Sequence, residues 1–278
     1  MKIADFVQWD SPVGIARGRI EELCDDLAKV RVYRDGKPSQ ALVELPVEMM
    51  EKDDYAMPRM PVDSEMALIN QYVPNARPDQ FCSYVVRAAN NFVNRSYWRF
   101  NEKSLQELAD YAIGVRSQGL PLPFGEDHDW ETVAKTDGFI YDAYISKEPA
   151  PEDIVMQAGN KAMNAEIAQN EGLISLDLKV AFSRYSSIVS EIEEGRRGFV
   201  SLGRFVANDL ICPIDGRSFF DPDCNYLVPS PMYPPGSKVE IGGESIEVAP
   251  YSIYANMTDL GECSFVTIPK LLGVGIRR

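Results

Sequence analysis

The sequence is poor in the residues that most often carry chemistry. It has one histidine, His128, and five cysteines, Cys24, Cys82, Cys212, Cys224 and Cys263. An odd, scattered set of cysteines does not make a disulfide framework, and reduced thiols are the expectation. No run of about 18 apolar residues occurs, which argues against a membrane-spanning helix. The opening residues, Met1-Lys2-Ile3-Ala4-Asp5-Phe6, lack the apolar stretch of a secretory signal, so none is expected. Basic residues are also short: 28 Lys and Arg stand against 42 Asp and Glu, a net charge of −14. Such a surface repels phosphate, so sequence-independent nucleic-acid binding is not expected. Apolar residues are plentiful, at 45% of 278, enough to build the core of one large domain or two unequal ones.

Residues 1–45 read as short strands separated by turn signals. Phe6-Val7-Gln8-Trp9 is followed by a Pro12/Gly14 turn, then Ile15 to Leu23, Lys29 to Tyr33, an Asp35-Gly36 turn, and Ala41 to Leu45. Val30 and Val32 alternate with Lys29, Arg31 and Tyr33, the period of a half-buried strand. Four or five such strands in this length predict a small SH3-like barrel. Residues 46–64 are the expected linker, with Pro46, Pro58, Pro61, four methionines and acidic Glu51, Asp53 and Asp54. Residues 65–278 form the second expected domain, of mixed α and β character. Ser104-Leu105-Gln106-Glu107 predicts a capping box with Ser104 as N-cap, and Gly114 is the expected helix end. Phe139 to Ile145 reads as a strand and Asp153 to Gln169 as a helix interrupted near Gly159. Along Leu173 to Phe182, Leu176, Leu178 and Val180 phase against Asp177, Lys179 and Ala181. From Gly198 onward the pattern is β-rich, with turns at Asp215-Gly216, Pro234-Pro235-Gly236 and Gly242-Gly243. The fold class expected is α+β, mainly β.

His128 sits in Gly125-Glu126-Asp127-His128-Asp129-Trp130, after a capped helix and the Pro/Gly passage Gly119 to Pro123. A strand with Gly138 and Ala143 follows. This order resembles the histidine segment of the prohead maturation proteases of tailed phages. Glu171-Gly172-Leu173-Ile174 with Val180-Ala181-Phe182 resembles the nucleophile strand of that family, which ends in Ser-x-Gly-Phe. Glu262-Cys263-Ser264-Phe265-Val266-Thr267-Ile268-Pro269 resembles its late strand, Glu-x-Ser-[Leu/Ile]-Val-x-x-Pro. The likeness runs from about residue 85 to the C-terminus and rests on the order of motifs that are individually weak. It implies an assemblin-like β-barrel with peripheral helices, His128 as general base and Glu262 as an orienting acid.

The departures from that family decide the reading. Anchored on Phe182, the family's serine falls on Lys179 and its glycine on Ala181. Anchored on Gly172-Leu173-Ile174, the serine falls near Leu178, again without a hydroxyl. Ser175 shares the strand parity of Lys179 but lies roughly 13 Å away at about 3.3 Å per residue. Relatives of the group can carry Cys-x-x-Cys-Gly and then Cys-x-His, a set that could hold zinc. Here Cys212 and Cys224 remain, Asp215 replaces the second cysteine, and no histidine follows. Two thiolates and a carboxylate fall short of the four ligands of a structural zinc, so no metal and no other cofactor is expected. The resemblance thus implies a non-catalytic virion or procapsid component that docks on major capsid or scaffold protein. It would work in the host cytoplasm during assembly and in the virion, without membrane or nucleic-acid partners, and with homo-oligomerisation open. The alternative is an active serine endopeptidase with a displaced nucleophile. Loss of a nucleophile removes cleavage and leaves a recognition surface intact.

Overall fold

The structure is a computed structural model. It describes residues 6–11, 14–24, 26–34, 37–49, 51–52, 60–126, 138–152, 154, 160–193, 196–266 and 274–277. The architecture is α+β and mainly β.

The N-terminal part is a five-stranded antiparallel sheet. Its strands are β1 (Phe6–Ser11), β2 (Gly14–Cys24), β3 (Leu27–Arg34), β4 (Lys37–Pro46) and β5 (Glu51–Lys52), in the order β4-β3-β2-β1-β5. Val30 lies opposite Ile20 on one side and Val43 on the other, so alternation delivers one apolar patch. Ile20, Ala28 and Val30 are buried there under Leu23, Val32, Val43, Leu45 and Val47. The opposite parity carries charge, with Lys29 paired to Glu22 at 2.7 Å and Arg31 to Glu21 at 2.5 Å. The sheet does not close into a barrel. It also continues past residue 45: a 3-10 turn at Val47–Met49 leads into β5, which pairs with β1. Thus the segment expected as linker contains the end of β4, a 3-10 turn and a further strand of the sheet. The expected Asp35-Gly36 turn lies outside the described residues.

The larger part is built on an eight-stranded sheet. Its strands are β6 (Phe81–Asn90), β7 (Trp98–Phe100), β8 (Leu122–Glu126), β9 (Gly138–Glu148), β10 (Leu173–Ser183), β11 (Val200–Ile211), β15 (Ser252–Phe265) and β16 (Gly275–Ile276). The order is β11-β15-β8-β9-β10-β6-β16, with β7 on β15. One face holds the main core, including Tyr84, Val86, Phe124, Leu176, Leu178, Val180, Phe182, Leu260 and Phe265. Helix α1 (Asp63–Ile69) covers part of the other face, where Met66 and Ile69 pack with Tyr141 and Ala181. Helix α3 (Lys161–Glu171) joins Ile167 to Phe92, Val93 and Leu173. Strand β10 is therefore buried on both faces, and its alternation does not separate core from solvent: Ser175 and Asp177 are as inaccessible as Leu176.

The edge strands β11 and β16 share no ladder among the described residues, so the sheet stays open. A backbone hydrogen bond of 3.0 Å from the Ile276 amide to the Gly198 carbonyl spans the gap. Gly275 makes that approach possible, because a Cβ there would collide with the Gly198 carbonyl oxygen.

Helix α2 (Glu102–Ser117) packs Leu105, Leu108, Ala109 and Ala112 into the main core. Its N-cap is Asn101, three residues before the expected Ser104. The Asn101 side chain accepts from the Ser104 amide at 2.9 Å, and the Ser104 hydroxyl accepts from the Asn101 amide at 2.8 Å. A serine at the third helical position thus completes the reciprocal pair. Glu107 is left to accept from the Met257 amide at 2.8 Å, tying the helix to β15. Gly114 does not end the helix, which runs on to Ser117 and is followed by Gly119 at φ +74°. A mid-helix glycine costs about 1 kcal/mol, and packing of Val115 on the core offsets it. Helix α4 (Ser187–Glu193) packs Ile188, Val189 and Ile192 on the same core. Strands β12 (Tyr226–Leu227), β13 (Lys238–Ile241) and β14 (Glu244–Val248) form a small third sheet, with the expected Gly242-Gly243 turn between β13 and β14.

Candidate functional site

Lys179 lies on β10 opposite Asp142 of β9 and Val85 of β6. Its ammonium is 3.4 Å from the Asp142 carboxylate and 3.8 Å from that of buried Glu65 on α1. It also sits 5.9 Å from the centre of the Tyr144 ring. Asp142 is shared, receiving Arg116 from α2 at 2.6 Å. The residue at the position that the family resemblance gives to serine is therefore a charge-balanced cation, without a hydroxyl. Two serines of β10 share the parity of Lys179, each four residues away: Ser183 is exposed at the strand end, and Ser175 is fully buried and bonded to the Ser146 hydroxyl at 2.9 Å and to Asp177 at 3.2 Å.

Glu262 lies on β15, buried, where the hydroxyl of fully buried Ser264 donates to its Oε2. The strand order puts β8 and β9 between β15 and β10. Three strand spacings separate Glu262 from Lys179, roughly 14 Å along the sheet. His128 lies outside the described residues. The chain on either side of it is described: Glu126 lies opposite Phe265 on β15, and Gly138 lies opposite Phe182 on β10. Phe124, Phe182 and Phe265 form a cluster at that end, with ring centres 4.9–6.0 Å apart. Gly138 is required there, because a Cβ would come within 2.7 Å of the Ala181 carbonyl oxygen and the Phe182 ring.

Sequence reasoning missed a polar network that the fold gathers from distant parts of the chain. Arg277, beyond β16, forms an ion pair with Asp177, and its other nitrogen reaches Glu148 at 2.8 Å. Glu148 also takes Arg87 from β6, and Arg277 reaches the Ser146 hydroxyl at 3.2 Å. The network floors a cavity of about 620 Å³ whose walls include Arg196, Phe199 and Gly275. Tyr144 borders the same charges. Burial first, then the Asp177 carboxylate, raises its pKa above the ordinary tyrosine value. The only sequence signal was an aspartate between two leucines in a strand, which the alternation assigned to the opposite face.

The two cysteines named from the sequence do come together. Cys212 follows β11 directly, and the chain folds back at once. The Cys212 amide donates to the Arg217 carbonyl at 2.8 Å, and the Gly216 amide donates to the Cys212 carbonyl at 3.0 Å. Gly216 takes φ +72°, the left-handed conformation this turn needs. Asp215 accepts from the Arg217 amide at 3.0 Å, which holds its carboxyl below the ordinary value. A sulfur of Cys212, a carboxylate oxygen of Asp215 and the sulfur of Cys224 all lie within 4.8 Å of one another. Burial pushes the Cys212 thiol up, opposed by the backbone amides of Asp215 and Ile214 that point at its sulfur. Cys82 and Cys263 are elsewhere, buried in the main core with their thiols pushed up by the same burial. Comparison with protein-family models, with curated proteins and with solved structures finds no match to this chain.

Proposed function

We propose that the protein is a non-catalytic capsid-assembly component of a tailed phage, derived from a prohead maturation protease and docking on major capsid or scaffold protein. The observation that carries this reading is Lys179. At the strand position where the resembling family has its nucleophilic serine, this chain has an ammonium held by Asp142 and Glu65. Serine-type catalysis needs a hydroxyl within about 3 Å of its base. The two same-parity serines of β10, Ser175 and Ser183, each stand four residues from Lys179, roughly 13 Å along the strand, and Ser175 is also held by Ser146 and Asp177. A protease fold that has lost its nucleophile keeps the surface that recognised the capsid segment, and that surface becomes the function. On this reading the larger part is an assemblin-like sheet, the N-terminal sheet is an SH3-like attachment module, and the protein acts in the host cytoplasm during assembly and in the virion.

Co-expression with the cognate major capsid protein tests the proposal. The expected result is that the capsid protein keeps its full length, while the present chain sediments with procapsids. Specific truncation of the capsid protein that disappears in His128→Ala would overturn it and make the chain an active endopeptidase.

A further inference from the structure

Counting donors along the sequence leaves Cys212, Asp215 and Cys224 one ligand short of a closed metal site. The fold changes the question, because it gathers all three on one side of a tight turn. We propose that Cys212, Asp215 and Cys224 form a three-donor site for a zinc-class divalent cation, with water in the fourth position.

Three features argue for it. The first is distance. Zinc bonds of about 2.3 Å to sulfur and about 2.0–2.2 Å to oxygen place tetrahedral ligand atoms roughly 3.3–3.8 Å apart. Donor atoms all within 4.8 Å of one another need only side-chain adjustment to reach that spacing. The second is the closed turn. Backbone hydrogen bonds from the Cys212 amide to the Arg217 carbonyl and from the Gly216 amide to the Cys212 carbonyl fix the loop that carries Cys212 and Asp215. The third is the donor set itself. Two thiolates and one carboxylate suit a borderline-soft ion and not magnesium or calcium, which take oxygen. Three charged donors around a divalent ion leave one net negative charge, and the exposed Asp215 puts the fourth position on the solvent side. The bound ion would pin the turn after β11 to the segment that enters β12, joining the large sheet to the small one. This inference does not depend on the capsid-assembly reading.

The test uses the full-length protein, reduced and equilibrated with zinc, then desalted and analysed for metal. A parallel sample is titrated with cobalt(II), whose thiolate-to-metal charge-transfer band reports sulfur ligands and whose visible bands report four-coordination. The expected result is one zinc per chain and both cobalt signatures. Cys224→Ser, at a half-buried position, is expected to lose them while keeping its circular dichroism. Cys212→Ser is expected to do the same. Asp215→Asn is expected to weaken binding and keep the charge-transfer band. Zinc well below one per chain, a cobalt spectrum without the sulfur band, or stoichiometric metal retained in both serine variants would each overturn the site.

Discussion

Arg277 offers the sharpest test of the energetics. Asp177 is fully buried in the middle of β10, and Arg277 from the far end of the chain is the cation paired with it. Replacing Arg277 with Met keeps much of the aliphatic stem and removes the guanidinium, leaving Asp177 charged under the sheet. Breaking a buried pair by removing one partner costs about 3–5 kcal/mol. The Arg277 side chain is 30% exposed, so water screens part of the interaction and about 3 kcal/mol is the working figure. For a folded unit of this size, about 2–4 °C of midpoint follows each kcal/mol, so Arg277→Met should lower the melting midpoint by roughly 6–12 °C. The double variant Asp177→Asn/Arg277→Met removes the stranded charge as well and should recover a large share of that loss. Arg277→Lys, which keeps the charge and loses the fork that spans Asp177 and Glu148, should fall between. Thermal unfolding followed by circular dichroism, repeated in urea, measures all four proteins. A shift below about 1 °C for Arg277→Met, or additive losses in the double variant, would refute the coupling of these two residues.

Two further outcomes follow from the same packing. Gly138→Ala should cost about 1–3 kcal/mol, because the new methyl meets the Ala181 backbone, whereas Gly114→Ala, with open space around it in α2, should gain about 0.5–1 kcal/mol; paired denaturant titrations check both signs. The Cys82 thiol, which burial pushes up to about 12 from an unfolded value near 9, gives stability that is whole below pH 9 and lost as pH rises towards 12. At about 1.4 kcal/mol per pH unit that is about 4 kcal/mol at most, and urea midpoints across pH 8–11 should fall less steeply in Cys82→Ala.

What the sequence made legible was local, and its errors were local as well. Val30 and Val32 announce β3 because one face of that sheet is wet, so the period of two survives in the residue types. Leu173 to Phe182 announces a strand equally well. Its burial could not be read, because the charges on its second face are balanced by partners remote in sequence: Arg277 for Asp177, and Glu65 and Asp142 for Lys179. Helix α2 was placed correctly, but its start was misjudged. Asn101-x-x-Ser104 and Ser104-x-x-Glu107 are overlapping capping patterns, and only the third dimension shows that Glu107 is wanted by the Met257 amide.

The candidate site divides along the same line. The family resemblance brought Cys212 and Asp215 into view, since they stand three positions apart and a glycine follows to turn the chain. That Cys224 returns to meet them depends on turns at Ser218–Asp221 and Asp221–Cys224, each closed by one backbone hydrogen bond of 3.0 Å. A donor count along the sequence cannot weigh such turns, because it treats a ligand as present or absent and not as near or far. The resemblance likewise set Glu262 and the serine position at Lys179 in one expected site: the motifs that name them are compatible in order, yet strand order and not chain order sets distance. With β8 and β9 inserted between β15 and β10, three strand spacings, roughly 14 Å, lie between the two strands. Strand insertion therefore brings residues distant in the chain together, as it does Asp177 and Arg277, and keeps others apart.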